Sequence, residues 1–164
     1  EVGELWAKGP QIVAGYWNNP EATAETFVDG WIRTGDLARI DEEGFCYIVD
    51  RAKDIIIRGG ENLSAKEIED ALHTHPAIRE AAVVSMPHPR LGEGVCAYLI
   101  PASADDRPDA GALTAFLLEA GLARQKCPDR IEYVDDVPRT ASGKVQKHIL
   151  RAMIRSTMES EAGT

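Results

Sequence analysis

Three stretches of this sequence carry residue types that can act on a phosphorylated ligand. The first is PRTASGKVQK, residues 138–147, where Lys144 follows a run of small, flexible residues. A lysine is a compact point charge with three donors, and a loop can deliver it to an anion held elsewhere. The stretch is no nucleotide cradle by itself, because it lacks the first glycine of a Walker loop and has Val145 where Ser or Thr belongs. Taken alone, a solvated loop lysine accounts for it as well. The second stretch is RTGDLARIDEEGF, residues 33–45, with Asp36 at a strand start beside Gly35. A carboxylate there can accept two hydrogen bonds from a ribose diol, and Gly35 lets a ligand approach the backbone closely. A simple Gly-Asp turn is the alternative. The third is DRAKDIIIRGGEN, residues 50–62. Arg51 offers forked donors suited to ribose or phosphate oxygens. Gly59 and Gly60 remove side chains from a tight turn where a ligand could thread past. A charged linker and a hairpin would explain the charges, but not paired glycines followed four residues later by a helix cap.

Other candidates fall away. His73 and His75 stand two apart, on different faces of a helix, so they make no metal pair. His88 lies between prolines in a loop, and no G-x-S-x-G or Cys/His pair supports nucleophilic catalysis. The three cysteines are far apart without a CxxC, which argues against a zinc site or a disulfide scaffold and suits a reducing cytosol. No metal site is expected.

The elements that must position these residues change in texture along the chain. Residues 4–8, 11–16, 31–33, 37–41 and 45–49 read as short strands, with a short helix started by Pro20 between them. After Asp50, residues 55–57 form a β-branched run too short for a helix. Ser64 and Glu67 make a capping box, S-x-x-E, that opens a helix to about residue 74, with Ile68, Ala71 and Leu72 on one face. Residues 81–86, 95–101 and 130–134 read as strands. The stretch ASADDRPD is a polar loop, Asp109 caps a helix that Gly121 stops, and residues 146–158 form a closing amphipathic helix. The expectation is a β-rich segment at 1–50 and an α+β domain at 51–164, of ordinary domain size.

Bulk properties set limits. The chain has 164 residues, 44% hydrophobic and 27% charged, and a net charge of −9, which argues against non-specific nucleic-acid binding. Residues 121–155 hold eight bases against four acids, whereas residues 1–50 hold ten acids against three bases. The basic segment is either a face for a small phosphorylated ligand or a solvated helix and loop. No apolar run is long enough for a transmembrane segment, and no signal-peptide pattern is present. The chain opens on Glu1 in EVGELW, so a longer protein is expected.

Taken in order, GELWAKGPQIVAGYWNNPEAT, GWIRTGDLARIDEEGFCYIVDRAKDIIIRGGENLSAKEIE and DDVPRTASGKVQKHILR resemble one family over nearly the whole chain. That family is the adenylate-forming (AMP-binding) enzymes, which include acyl- and aryl-CoA ligases, peptide-synthetase adenylation domains and luciferases. The resemblance implies that residues 1–50 are the β-barrel-like end of a large N-terminal domain and that residues 51–164 are the small mobile C-terminal domain. The family's phosphate loop and acyl pocket are then expected upstream, and the isolated chain is expected to be inactive.

By position, the resemblance gives Asp36 and Arg51 the ATP ribose, Lys53 the hinge and Gly60 the turn lining the pantetheine tunnel. Lys144 takes the contact with the carboxylate and α-phosphate during adenylation. It implies ATP, Mg2+ and CoA as cofactors, mostly bound by the N-terminal domain, a carboxylic acid as substrate, and a cytoplasmic location. The expected enzyme is an acyl-CoA ligase acting on a fatty, alicyclic or aryl acid. The alternatives are an aryl- or amino-acid adenylation protein loading a carrier-protein pantetheine, or a non-catalytic folded module. Leu91 and Gln125 stand where some relatives carry aromatic side chains that stack on CoA.

Overall fold

Backbone pairing divides the chain into two units, Glu1–Lys53 and Asp54–Thr164. The computed structural model describes residues 1–103 and 106–163. Part of the polar loop expected at ASADDRPD therefore lies outside the described residues.

The first unit is one antiparallel sheet of four strands. Its long strand β3 (Trp31–Ile40) pairs with β1 (Val2–Ala7), β2 (Phe27–Val28) and β4 (Cys46–Arg51). The two strands expected at 31–33 and 37–41 are thus one, with a bulge in its pairing to β4 between Leu37 and Ala38. The helix α1 (Pro20–Thr26) starts as expected: Pro20 sits in the first turn and the Asn19 side chain accepts from the Ala22 N–H at 3.1 Å. Between β2 and β3, Asp29 and Gly30 both adopt positive φ (51° and 79°). This is the two-residue hairpin turn that an Asp-Gly pair favours, and its short first strand was not expected. Residues 11–16 are turns rather than a strand. Their backbone groups find other partners, with the Ile12 N–H on the Gly9 carbonyl and the Tyr16 N–H on the Thr23 hydroxyl. Of this unit's residues only Ala38 and Asp50 are buried, and Trp17 is 97% exposed.

The second unit is a five-stranded sheet with helices on both faces. Strands β5 (Ile55–Arg58) and β6 (Glu61–Ser64) form a hairpin, and β7 (Ile78–His88) and β8 (Gly92–Pro101) form a longer one. The order is β6-β5-β8-β7, and β9 (Arg130–Tyr133) joins β8 in parallel. Strand β8 reads as a continuous apolar run because both its faces are covered: Gly94 through Pro101 are all buried. On one face Ile56, Val83, Val95 and Leu99 pack with Ile68 and Leu72 of α2 (Ala65–His73) and Leu117 of α3 (Ala110–Glu119). On the other, Val84, Cys96 and Tyr98 pack with Leu150 and Ile154 of α4 (Lys147–Ala162).

Local signals determine where these helices begin and end. Ser64 Oγ accepts from the Glu67 N–H at 3.1 Å, and Asp109 accepts from the Ala112 N–H at 2.8 Å. Gly121, at φ 88°, ends α3, with the Leu122 N–H reaching back to the Leu117 carbonyl. The Glu67 carboxylate bonds Lys126 Nζ at 2.6 and 2.7 Å, tying α2 to the segment before β9. The outer edge of β7 is occupied by side chains of α2. The Ala81 N–H donates to His73 Nε2 (3.0 Å) and the Val83 N–H to Glu69 Oε1 (2.7 Å). Among the described residues, no helix is long and apolar enough to cross a membrane.

Candidate active-site residues

Asp36 and Arg51 are cross-strand partners in β3 and β4. Their pairing follows from register, and Arg51 Nε reaches Asp36 Oδ1 at 2.9 Å. Arg51 Nη2 also donates to the Thr34 carbonyl at 3.2 Å, and the Thr34 hydroxyl accepts the Asp36 N–H at 3.0 Å. Gly35 between them sits at φ 72°. A half-exposed pair of this kind contributes only ~0.2–1 kcal/mol to stability, so its main consequence is geometric. The guanidinium fixes one carboxylate oxygen, Oδ1. That combination of oriented acceptor and forked donor suits a diol.

Lys53 lies in a single 3₁₀ turn, Ala52–Asp54, at the end of the first unit. In the second unit, buried Asp54 pairs with Arg151 of α4 at 3.2 Å.

Gly59 and Gly60 form the two-residue turn of the β5–β6 hairpin, at φ 59° and 88°. Both central positions are left-handed, which explains why the pair is glycine. A Cβ on Gly60 would meet nothing within 4 Å, whereas one on Gly59 would touch Leu91 at 3.4 Å. Gly59 also donates its N–H to the Leu91 carbonyl at 2.9 Å. The flanking Arg58 bonds Asp129 Oδ1 at 2.6 Å and the Gln125 carbonyl at 2.5 Å, and Asp129 Oδ2 accepts the Val95 N–H. Leu91 and Gln125 are therefore both held close to this turn. Nothing local in the sequence signals the Arg58–Asp129 contact, which joins residues 71 positions apart.

Lys144 stands on a small hairpin, not on a loose arm. Arg139 and Val145 pair as an antiparallel bridge. The Thr140 N–H donates to the Lys144 carbonyl (2.8 Å), the Gly143 N–H to the Thr140 carbonyl (2.9 Å) and the Gln146 N–H to the Pro138 carbonyl (2.8 Å). The Lys144 N–H donates to the Thr140 hydroxyl at 3.1 Å. Thr140 and Ser142 thus satisfy the turn, and Gly143 at φ 83° lets it close. The stretch expected as a flexible arm forms a turn, and its small residues are those a tight turn demands. Lys144 is exposed, and its ammonium has no partner among the described residues. Arg139 also bonds Glu80 of β7 and donates to the Gly143 carbonyl at 3.1 Å. The Glu80 carboxylate holds the Arg139 guanidinium above its ordinary pKa.

Asp36 and Arg51 thus meet in the first unit, while Gly60 and Lys144 occupy separate hairpins of the second. Among the described residues, no group of three or more His, Cys, Asp or Glu could hold a metal ion.

Comparison with known proteins agrees with the motifs. Residues 67–144 match the AMP-binding enzyme C-terminal domain. The chain is 46% identical over 155 residues to 2,3-dihydroxybenzoate-AMP ligase of Bacillus subtilis, covering 94% of this chain and 28% of that protein. It is 45% identical over 157 residues to the medium/long-chain-fatty-acid–CoA ligase FadD8 of Mycobacterium tuberculosis, covering 93% and 28%. Among solved structures, o-succinylbenzoate CoA synthetase of Bacillus subtilis, in complex with its acyl-adenylate, superposes with a TM-score of 0.84 at 38% identity, covering 92% of this chain and 30% of that one. The chain spans under a third of the length of these relatives.

Proposed function

The chain belongs to the adenylate-forming, AMP-binding family, and we propose that it is the C-terminal portion of an AMP-forming acyl-CoA ligase. In this reading a carboxylate attacks the α-phosphate of Mg-ATP and pyrophosphate leaves. The thiol of CoA then attacks the acyl-adenylate and releases AMP. Residues 1–50 are the end of the large domain, and residues 51–164 the mobile one. The bare apolar side chains of the first unit support this, since a sheet with so little core needs a larger body beside it. The turn at Lys53 is the hinge, and the boundary between the two units falls directly after it.

The observation that carries the catalytic part is the unpartnered ammonium on an ordered hairpin tip. Two anions must approach each other for adenylation, and a positioned cation lowers that barrier without reorganising. Asp36 accepts from the ribose hydroxyls while Arg51 orients it and donates to the sugar. Gly60 leaves room beside the backbone for pantetheine. In this reading Mg2+ enters bound to the phosphates of ATP. ATP and CoA as substrates fit a cytoplasmic enzyme.

The test is Lys144→Ala in the complete ligase. Adenylation should slow roughly 10²–10³-fold, the usual effect of deleting one donor aimed at developing charge, while thioester formation from supplied acyl-adenylate stays nearly normal. An unchanged adenylation rate removes Lys144 from the catalytic list.

A second reading, an aryl-acid adenylating protein that loads a carrier-protein pantetheine, draws on the 46% identity to a 2,3-dihydroxybenzoate-AMP ligase. The non-aromatic residues at Leu91 and Gln125 favour it too. Acyl transfer to CoA compared with a pantetheinyl carrier protein separates the two. The remaining alternative, a binding module without catalysis, predicts no effect of Lys144→Ala on either step.

A further inference from the structure

We infer that Arg139 is a positioning residue for Lys144: bridging Glu80 on β7 and the Gly143 carbonyl, it holds the 138–146 hairpin so that Lys144 is presented in one orientation. The inference rests on the catalytic reading of Lys144 for its functional half, and on geometry alone for its structural half.

The base of the hairpin is already anchored. Val137 is buried, and Val145 packs against the core beneath α4. The tip is different, for residues 140–144 are exposed and contribute no apolar contacts to that core. A turn held only by its own short hydrogen bonds would fray, because each is open to water and contributes little net stability. Arg139 changes this. One side-chain nitrogen meets the Glu80 carboxylate, which belongs to the long β7–β8 hairpin of the sheet, while the other takes the carbonyl directly before Lys144. Asp136 adds a longer contact at 3.7 Å. The planar fork of arginine meets the two acceptors with separate nitrogens in a fixed geometry, whereas a lysine has a single nitrogen for both. Motion of the tip is thereby tied to the sheet, so the backbone that carries Lys144 travels with the domain. A cation misplaced by about 1 Å forfeits much of its effect on a charged transition state.

The experiment has two arms. In this chain, backbone 15N relaxation is measured for wild type, Arg139→Met, Arg139→Lys and Glu80→Gln. The amides of residues 141–144 should have order parameters near the rigid value of ~0.85 in wild type and fall toward ~0.6 in Arg139→Met, with β7, β8 and α4 unchanged. Arg139→Lys should fall nearly as far, although it keeps the charge. Unchanged order parameters in all three variants overturn the inference.

In the complete ligase, Arg139→Met should lower kcat for adenylation roughly 10–100-fold. KM for ATP should change little, and thioester formation from supplied adenylate should stay within about twofold of wild type. Adding Arg139→Met to Lys144→Ala should cost nothing further, because the residue acts only through the lysine. A double variant slowed by the full product of the two single effects would overturn the positioning role. Should Lys144→Ala alone leave adenylation unchanged, the catalytic reading fails, and the relaxation arm decides the clamp by itself.

Discussion

Replacing Gly60 by alanine separates what the β5–β6 turn costs the backbone from what it does for a ligand. An L-residue forced to the observed φ of 88° loses roughly 1–2 kcal/mol relative to glycine. No steric cost adds to this, because a Cβ at this position meets nothing within 4 Å. The domain should therefore lose about 1–2 kcal/mol, a fall in Tm of roughly 4–8 °C per kcal/mol for a domain of this size. Gly60→Asn should lose less, since asparagine tolerates the left-handed region. Thermal and urea unfolding of the chain, followed by circular dichroism, measure both. On the proposed reading, the same methyl group would stand where pantetheine passes in the complete ligase. Gly60→Ala should then leave adenylation near normal and slow thioester formation by at least tenfold. A loss above roughly 3 kcal/mol would mean that the turn is crowded, contrary to the open space around it. Equal loss of both half-reactions would refute the role in the thioester step.

Four further outcomes are expected. Lys53→Pro restricts φ in the turn that ends the first unit, so in the complete ligase it should impair thioester formation more than adenylation; rapid-quench assays of each half-reaction test this. The isolated 164-residue chain should release no pyrophosphate from ATP with any of a panel of carboxylic acids, and a positive coupled assay would count against a partner domain holding the triphosphate. Burial pushes the Cys96 thiol from 9.0 up to about 12, whereas Cys46 is exposed, so iodoacetamide at neutral pH should label Cys46 and spare Cys96 by mass spectrometry. The unfolded thiol ionises first, so the stability linked to Cys96 is full below pH 9.0 and is lost as pH rises toward about 12. Cys96→Ala should flatten part of that alkaline decline in the urea midpoint, with Tyr98, also raised to about 12, supplying the rest.

The parts of the fold legible in the sequence are those decided within a few residues. Pro20 starts a helix, Ser64 and Asp109 cap two others, Gly121 ends one, and the apolar stripe of Ile68 and Leu72 faces the core. The α+β class followed from these elements together. Pairings between distant segments were not legible: β9 lies parallel to β8, and residues 11–16 lose strand character because their backbone bonds go to turns and to Thr23. For the site, residue type identified Asp36, Arg51, Gly60 and Lys144 as candidates. It did not show that Arg51 bonds Asp36, since their cross-strand register depends on the bulge at Leu37. Nor did it show the hairpin under Lys144, because Thr140, Ser142 and Gly143 read equally well as a tether or a turn. The contact of Arg139 with Glu80 spans 59 positions and has no local signature.

The side chains along the outer edge of β7 bear on how such a domain avoids sticking to copies of itself. An eleven-residue strand rich in alanine and valine is the kind of template on which a second chain can add a strand and begin a fibril. Here a newcomer would find the donors of Ala81 and Val83 already taken by His73 and Glu69, with Lys147 paired to Glu69 behind them at 2.8 Å. To dock, it would have to displace a helix that also carries part of the core. The barrier to self-assembly is thus tied to the folding stability of α2. Conditions that loosen that helix should promote aggregation before the sheet itself unravels.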